Sequence, residues 1–309
     1  MAGHHHHHAH LDPDAGDARV LWAIAVNIGL TLAQVVGGIL AGSLALIADA
    51  LHNFSDAISL VIAFAARRIA RRPADAAMTF GYGRAEMVAA LINYTTLIVI
   101  GLYLVYEAAI RAIDPQPVDG WLIVVIAGIA LVVDALTAAL TYRMSKTSVN
   151  IRAAFLHNLA DAMGSVAVIV AGTLILLYDW RLIDPAATLL IAGYILWQSF
   201  SEIGGVIRML MLGSPPDIDT GQVVAGLRGI EGVADVHHVH LWQMEERRAA
   251  LDTHLVIAPG RWAEADRIKS AARAMLENSF GITHSTLEVE CSRHACDDVQ
   301  TIGHPTDAV

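Results

Sequence analysis

Charge is what this sequence lacks. Only 16% of its 309 residues are Asp, Glu, Lys or Arg, where an ordinary soluble domain carries about 25%. Basic residues are the scarcer sign, 20 against 30 acidic ones, for a formal charge of −10. Phosphate binding needs a basic face, so nucleic acid is excluded as a partner. Two cysteines are too few for a disulfide scaffold. The H-E-x-x-H helix of a metallopeptidase is missing, and no Ser or Cys nucleophile stands near the polar pairs described below, so the chain does not read as an enzyme. What the chain has instead is apolar residues, 55% of the total, and their uneven distribution points to a lipid bilayer.

Crossing ~30 Å of hydrocarbon takes about 20 apolar residues. Six runs qualify, at 20–41, 44–66, 87–110, 121–142, 153–178 and 185–207. The first is too long for a signal-peptide core and follows an acidic, His-rich stretch without a clear cleavage site, so it reads as a span. Arg67, Arg68, Arg71, Arg72 and Arg84 lie between the second and third runs, and Arg143, Lys146 and Arg152 between the fourth and fifth; the opposite loops hold only Arg111 and Arg181. Short cytoplasmic loops carry the basic excess. This predicts a multi-pass protein of the cell (cytoplasmic) membrane with both termini in the cytoplasm.

After Arg208 charge returns. Gly213-Ser-Pro-Pro216 reads as a helix stop and linker. Beyond it the periodicity predicts a helix at 218–227, strands at 233–242 and 249–257, a helix at 262–279 and a strand at 283–290. That α-β-β-α-β order predicts a small ferredoxin-like α+β domain. The expected division is a His-rich tail (1–18), a six-helix transmembrane domain (19–212), a cytoplasmic ferredoxin-like domain (213–291) and a C-terminal tail (292–309).

The strongest chemical signal among the 15 histidines lies inside the spans. The second run contains His52-x-x-x-Asp56 and the fifth contains His157-x-x-x-Asp161. An i, i+4 spacing puts both side chains of a pair on one helical face. Two such faces meeting present two imidazoles and two carboxylates, a tetrahedral set suited to Zn²⁺. A polar helix-packing contact would account for one pair. Two identical pairs on separate spans favour function, because ionisable groups in hydrocarbon are rare and costly. Two carboxylates balance one divalent cation, and the emptied site can take up protons. Asp49, one turn before His52, could pass protons or bond a neighbouring helix. Asn27, Gln34 and Asp134 read as interhelical hydrogen bonds.

The stretch Gly42-Ser-Leu-Ala-Leu-Ile-Ala-Asp-Ala-Leu-His-Asn-Phe-Ser-Asp56 resembles the second span of the cation diffusion facilitator family. Thr79-Phe-Gly-Tyr-Gly-Arg-Ala-Glu86 resembles that family's entry to span three, and the His157/Asp161 helix its span five. The likeness covers nearly the whole chain and is to the zinc-type branch, with its bacterial zinc, cadmium and cobalt exporters. It implies a homodimer that exchanges cytoplasmic metal for protons by alternating access, with His52, Asp56, His157 and Asp161 at the transport-site positions. Zn²⁺ is the implied transported and regulatory ion, with Co²⁺, Cd²⁺, Ni²⁺ or Fe²⁺ as alternative cargo. A metal-responsive membrane scaffold that does not transport is the rival of another class. The resemblance also implies cytoplasmic metal ligands at His237 or His240, at His254, and at His284 or Glu290. Cys291-x-x-His294-x-Cys296 could capture Zn²⁺ or be incidental thiols. The run His4–His8 with His10 could be a tag or a metal-gathering tail. Loop 67–84 holds no histidine, only Asp75, so the extra loop site that some family members carry is expected to be absent.

Overall fold

The computed structural model describes residues 28–145, 149–245, 248–296 and 300–303. The chain forms two compact units, one of residues up to 62 with 92–201 and one of residues 63–91 with 202–309.

The first unit is helical. Its elements are α1 (Ile28–Ala41) and, wholly or in part, α2 (Leu44–Ala70), α3 (Ala85–Ile113), α4 (Gly120–Ser145), α5 (Val149–Tyr178) and α6 (Ile183–Leu210). Among the described residues, α3, α6, Gly120–Ala139 of α4 and Asn158–Tyr178 of α5 are long and apolar enough to cross a membrane. Four of the six expected spans are thus supported by length and composition. In α1 the described apolar run is shorter, and α2 buries Asp49, His52, Asn53 and Ser55 in its first half. Outward-facing residues are large and apolar: Ile39, Leu40, Tyr106, Trp121, Leu190 and Trp197 are each more than half exposed. A surface of that kind suits lipid rather than water.

The interior is built of small residues. Ala41, Ala45, Ala127, Ala171 and Ala187 pack with Leu46, Ile123 and Val168, which lets helix backbones approach closely. Where α4 meets α5, a Cβ added to Gly120 would lie 2.6 Å from the Gly172 carbonyl oxygen, so no other residue fits there. Gly42 turns the chain between α1 and α2 in the left-handed region (φ 70°), which glycine adopts without a Cβ clash. The first turn of α2 is then capped from another helix. Asp184 on α6 accepts from Leu44 N (2.8 Å), Ala45 N (3.3 Å) and Ser43 Oγ (2.5 Å).

The second unit carries the expected α-β-β-α-β order: α7 (Thr220–Arg228), β1 (Val233–Glu245), β2 (Arg248–Ile257), α8 (Ala265–Phe280) and β3 (His284–Cys291). Asp219 caps α7 through Gly221 N and Gln222 N, and Gly281 (φ 67°) ends α8 in the left-handed conformation. The sheet order is β1-β2-β3, with β2 antiparallel to β1 and parallel to β3. Val223, Leu227, Ala272 and Leu276 of the helices bury against Val236, Leu251, Leu255 and Leu287 of the sheet. In the loop before α3, Asp75 accepts from Ala77 N and Met78 N, each at 2.9 Å, and from Tyr82 Oη at 2.7 Å. The tyrosine hydroxyl, then the two amides, hold the Asp75 carboxyl below its ordinary range. Arg84 donates to the Gln243 and Met244 carbonyls at the end of β1.

Candidate metal centres

Two constellations collect metal-ligating side chains, one in the helical unit and one on the sheet. In the helical unit, the first half of α2 meets α5 where both turn polar. His52 Nε2 lies 3.2 Å from Asp161 Oδ1, with the two side chains 9% and 10% exposed. Tyr194 of α6 stands edge-on to the imidazole at 6.3 Å between centroids. A tetrahedral cation with M–N and M–O bonds of about 2.0–2.2 Å needs ligand atoms about 3.3–3.5 Å apart. The His52–Asp161 separation is already close to that. Asp56 and His157 fall one turn away on the same two helices, and their side chains lie outside the described residues. Asp49 accepts from Gln34 Nε2 of α1 at 2.7 Å, and Asn53 donates to the Gln34 amide oxygen at 3.3 Å. Gln34 therefore has the interhelical role expected of it, and Asp49 also bonds a neighbouring helix. Asp134 of α4 likewise receives Ser165 Oγ of α5 at 3.3 Å. Asn27 lies outside the described residues.

The second constellation follows from strand register. His237 of β1 pairs opposite His254 of β2, and His254 opposite Glu288 of β3, so three polar groups line up across the sheet. His254 Nδ1 is 2.7 Å from Glu290 Oε1, and its Nε2 is 3.2 Å from Glu288 Oε2. His237 is 1% exposed. Its Nε2 comes within 3.3 Å of Glu290 Oε2 but off hydrogen-bond geometry, so neither ring nitrogen has a hydrogen-bond partner among the described residues. An orphaned buried polar atom costs about 1–3 kcal/mol. A bound cation would remove that penalty. Burial pushes the His237 imidazole below its ordinary range, despite the opposing pull of Glu290. Burial alone would raise the Glu290 carboxyl, but the Cys296 thiol and amide, His254 and His237 together hold it down.

His238 breaks the alternation expected of β1. Its φ is 50°, and the register shifts between His237 and His240, the signature of a β-bulge. Alternation turns His238 to the face opposite His237; the bulge instead brings their ring centroids to 5.1 Å and puts His238 4.9 Å from His254. Cys296, beyond β3, places Sγ 3.3 Å from Glu290 Oε1 and 3.9 Å from His254 Nδ1. Ligand atoms of His237, His238, His254 and Cys296 all lie within 4.8 Å of one another, as do those of His254, Glu288 and Glu290.

Of the residues expected here, His237, His254, Glu290 and Cys296 come together. His240 sits past the bulge opposite Asp252, and His284 is exposed at the start of β3; neither joins the cluster. Cys291 Sγ and His294 Nδ1 form a separate local pair at 3.1 Å. The sequence reading missed His238 and Glu288. Glu288 was within reach, since it lies two residues from Glu290 and so shares its strand face. His238 was not, because a bulge leaves no periodic trace. The N-terminal histidines lie outside the described residues.

Comparison with known proteins follows the same division. Residues 20–211 match the cation efflux transmembrane domain, and residues 215–292 match the cytoplasmic domain of cation efflux proteins. The chain is 35% identical over 300 residues to the "Cadmium, cobalt and zinc/H(+)-K(+) antiporter" of Bacillus subtilis (strain 168), covering 96% of this chain and 94% of that protein. It is 34% identical over 298 residues to "Zinc transporter ZitB" of Shigella flexneri, covering 95% and 94%. Among solved structures it is similar to the metal-bound C-terminal domain of the CzcD transporter from Cupriavidus metallidurans, at 26% identity and a TM-score of 0.23, covering 24% of this chain and 99% of that one. The chain belongs to the cation efflux family.

Proposed function

We propose that this chain is a divalent-cation/proton antiporter that exports Zn²⁺ from the cytoplasm by alternating access. The observation that carries the reading is the buried approach of His52 Nε2 to Asp161 Oδ1, 3.2 Å apart on two different helices. His52, Asp56, His157 and Asp161 hold the cation as cargo. Two imidazoles and two carboxylates leave the loaded site neutral, and protons on the carboxylates keep the emptied site neutral, which hydrocarbon demands. Asp49, beside His52, serves proton entry and exit. Zinc is named for both relatives, and cadmium and cobalt for one, so Cd²⁺ and Co²⁺ are competing cargo for the same ligands; Ni²⁺ and Fe²⁺ follow from ligand type. The placement of basic residues in the loops supports a cytoplasmic-membrane protein with both termini inside.

The cytoplasmic domain works as the dimerising metal sensor of a homodimer. His237, His254 and Glu290 cradle a regulatory Zn²⁺, a role supported by the buried His237 nitrogens, which have no hydrogen-bond partner among the described residues. The deciding experiment is zinc flux in proteoliposomes under an imposed pH gradient, with wild type beside a His157→Ala/Asp161→Ala double variant. Gradient-driven flux lost in the variant supports the site. Normal flux from a correctly inserted variant sinks it, and no flux from either, with metal still bound, turns the reading to the non-transporting scaffold.

A further inference from the structure

We infer that the sheet cluster is closed by a thiolate: Cys296, together with the bulge residue His238, ligates the cation alongside His237 and His254 in a three-nitrogen, one-sulfur shell. The inference rests on the metal-sensing reading of this domain and specifies its coordination chemistry. Three observations carry it. The four residues offer ligand atoms within 4.8 Å of one another. A tetrahedral site with M–N bonds of about 2.0–2.1 Å and an M–S bond of about 2.3 Å needs edges of about 3.3–3.6 Å, so a contraction on the order of 1 Å closes it. His237 is buried with neither ring nitrogen hydrogen-bonded among the described residues, so a nitrogen lone pair can serve a cation without breaking a bond.

Second, each of the two partly buried histidines has an oxygen acceptor for the ring nitrogen that ligation leaves protonated. His238 Nδ1 lies 3.1 Å from the Gly303 carbonyl oxygen. A carbonyl only accepts, so Nδ1 carries the proton and Nε2 the lone pair. His254 Nδ1, 3.9 Å from Cys296 Sγ, meets the Glu290 carboxylate at 2.7 Å; it ligates once the ring proton shifts to Nε2, which faces the Glu288 carboxylate at 3.2 Å. Metal-bound histidines commonly donate their other N–H to a carboxylate or a carbonyl. Glu290, which receives the Cys296 amide at 3.3 Å, becomes the neighbouring negative charge. On binding, the Cys296 S–H bond is replaced by an S–metal bond and the proton leaves to solvent.

Third, residues 300–303, shortly after Cys296 in sequence, are laced to the bulge itself. His238 N donates to Gln300 O and Val239 N to Thr301 O, each at 3.0 Å, and Gly303 N returns to Val239 O at 3.2 Å. The strand irregularity that presents His238 thus also docks the residues that closely follow the thiol in sequence.

The test is Co²⁺ titration of the full-length protein in detergent, read by the near-ultraviolet thiolate-to-Co(II) charge-transfer band, to which the nitrogen and oxygen ligands of the transport site do not contribute. Wild type is expected to show the band and lose it on adding Zn²⁺. Cys296→Ser should abolish it, Cys291→Ser should keep it, and His238→Ala should move its titration midpoint to at least about tenfold higher Co²⁺, on the scale of losing a coordination partner. A band that follows Cys291 instead, or a midpoint unmoved by His238→Ala, overturns the assignment. So does a wild type without the band whose Co²⁺ binding still depends on His254, because carboxylates then complete the shell and the sensing reading survives. Gradient-driven flux, measured separately, tests the transport reading independently of where sulfur binds.

Discussion

Asp184 does for α2 what an N-cap residue normally does for its own helix, across 140 residues of sequence. It is 1% exposed and satisfies two orphan amides and the Ser43 hydroxyl at the start of the helix that carries His52. Loss of a cap costs about 0.5–2 kcal/mol, and leaving buried donors unpaired about 1–3 kcal/mol. Asp184→Ala is therefore expected to destabilise the protein by about 2–3 kcal/mol, seen as a lower melting temperature in detergent, and Asp184→Asn by less because its amide oxygen still accepts. A melting temperature equal to wild type for Asp184→Ala would show that the cap contributes nothing. In sequence, Asp184 is one acidic residue before a proline, and nothing local ties it to residue 44. The approach of His52 to Asp161 was legible because each stands in a His-x-x-x-Asp pair within an apolar run, a pattern hydrocarbon does not tolerate without a reason.

Elements were legible where their periodicity was undisturbed. The soluble domain's order could be read because α7 and α8 keep an apolar helical face and each strand runs apolar between turn residues. The bulge at His238 could not be read: it goes with the docking of residues 300–303 against β1, a contact made through backbone groups. The entry to α8 offers a test at this scale. Glu264 receives Arg261 Nε at 2.7 Å and Nη2 at 2.8 Å, and Arg267 Nη2 at 2.5 Å. These bonds, Arg261 first, draw its carboxyl down from 4.5 to about 2. A carboxylate whose folded pKa is depressed stabilises the fold above its unfolded pKa, and that contribution disappears as the pH falls through the folded value. The stability gap between wild type and Glu264→Gln should be full above about pH 5 and close progressively as the pH falls from about 4.5 to about 2. Thermal melts of both proteins across that range decide it, and a gap independent of pH would mean the arginines do not act through the ionised carboxylate.

For the molecule as a whole, the question is how an ion on the sheet could influence transport. A ligand shifts a conformational equilibrium only by its differential affinity for the two states, so a regulatory ion must bind one arrangement of its surroundings more tightly than the other. The second unit includes the segment joining α2 to α3. Arg84 of that segment donates to two β1 carbonyls on the strand that carries His237 and His238. A tenfold difference in affinity between states corresponds to about 1.4 kcal/mol, and Arg84's two bonds to β1, 3.3 and 3.4 Å long, are weak enough for such a bias to reorganise. Arg84→Ala is accordingly expected to keep gradient-driven zinc flux while raising the cytoplasmic-side zinc concentration needed for half-maximal rate. Truncation after Gly213 should remove the regulatory part of that zinc dependence and leave only saturation of the transport site, because ligands and strand go together. Flux measured against zinc on the cytoplasmic side, with cross-linking to follow the dimer, separates the outcomes. If the truncated protein still dimerises and answers zinc as the full chain does, the sheet cluster is not the sensor, and regulation must then arise from the cargo site alone.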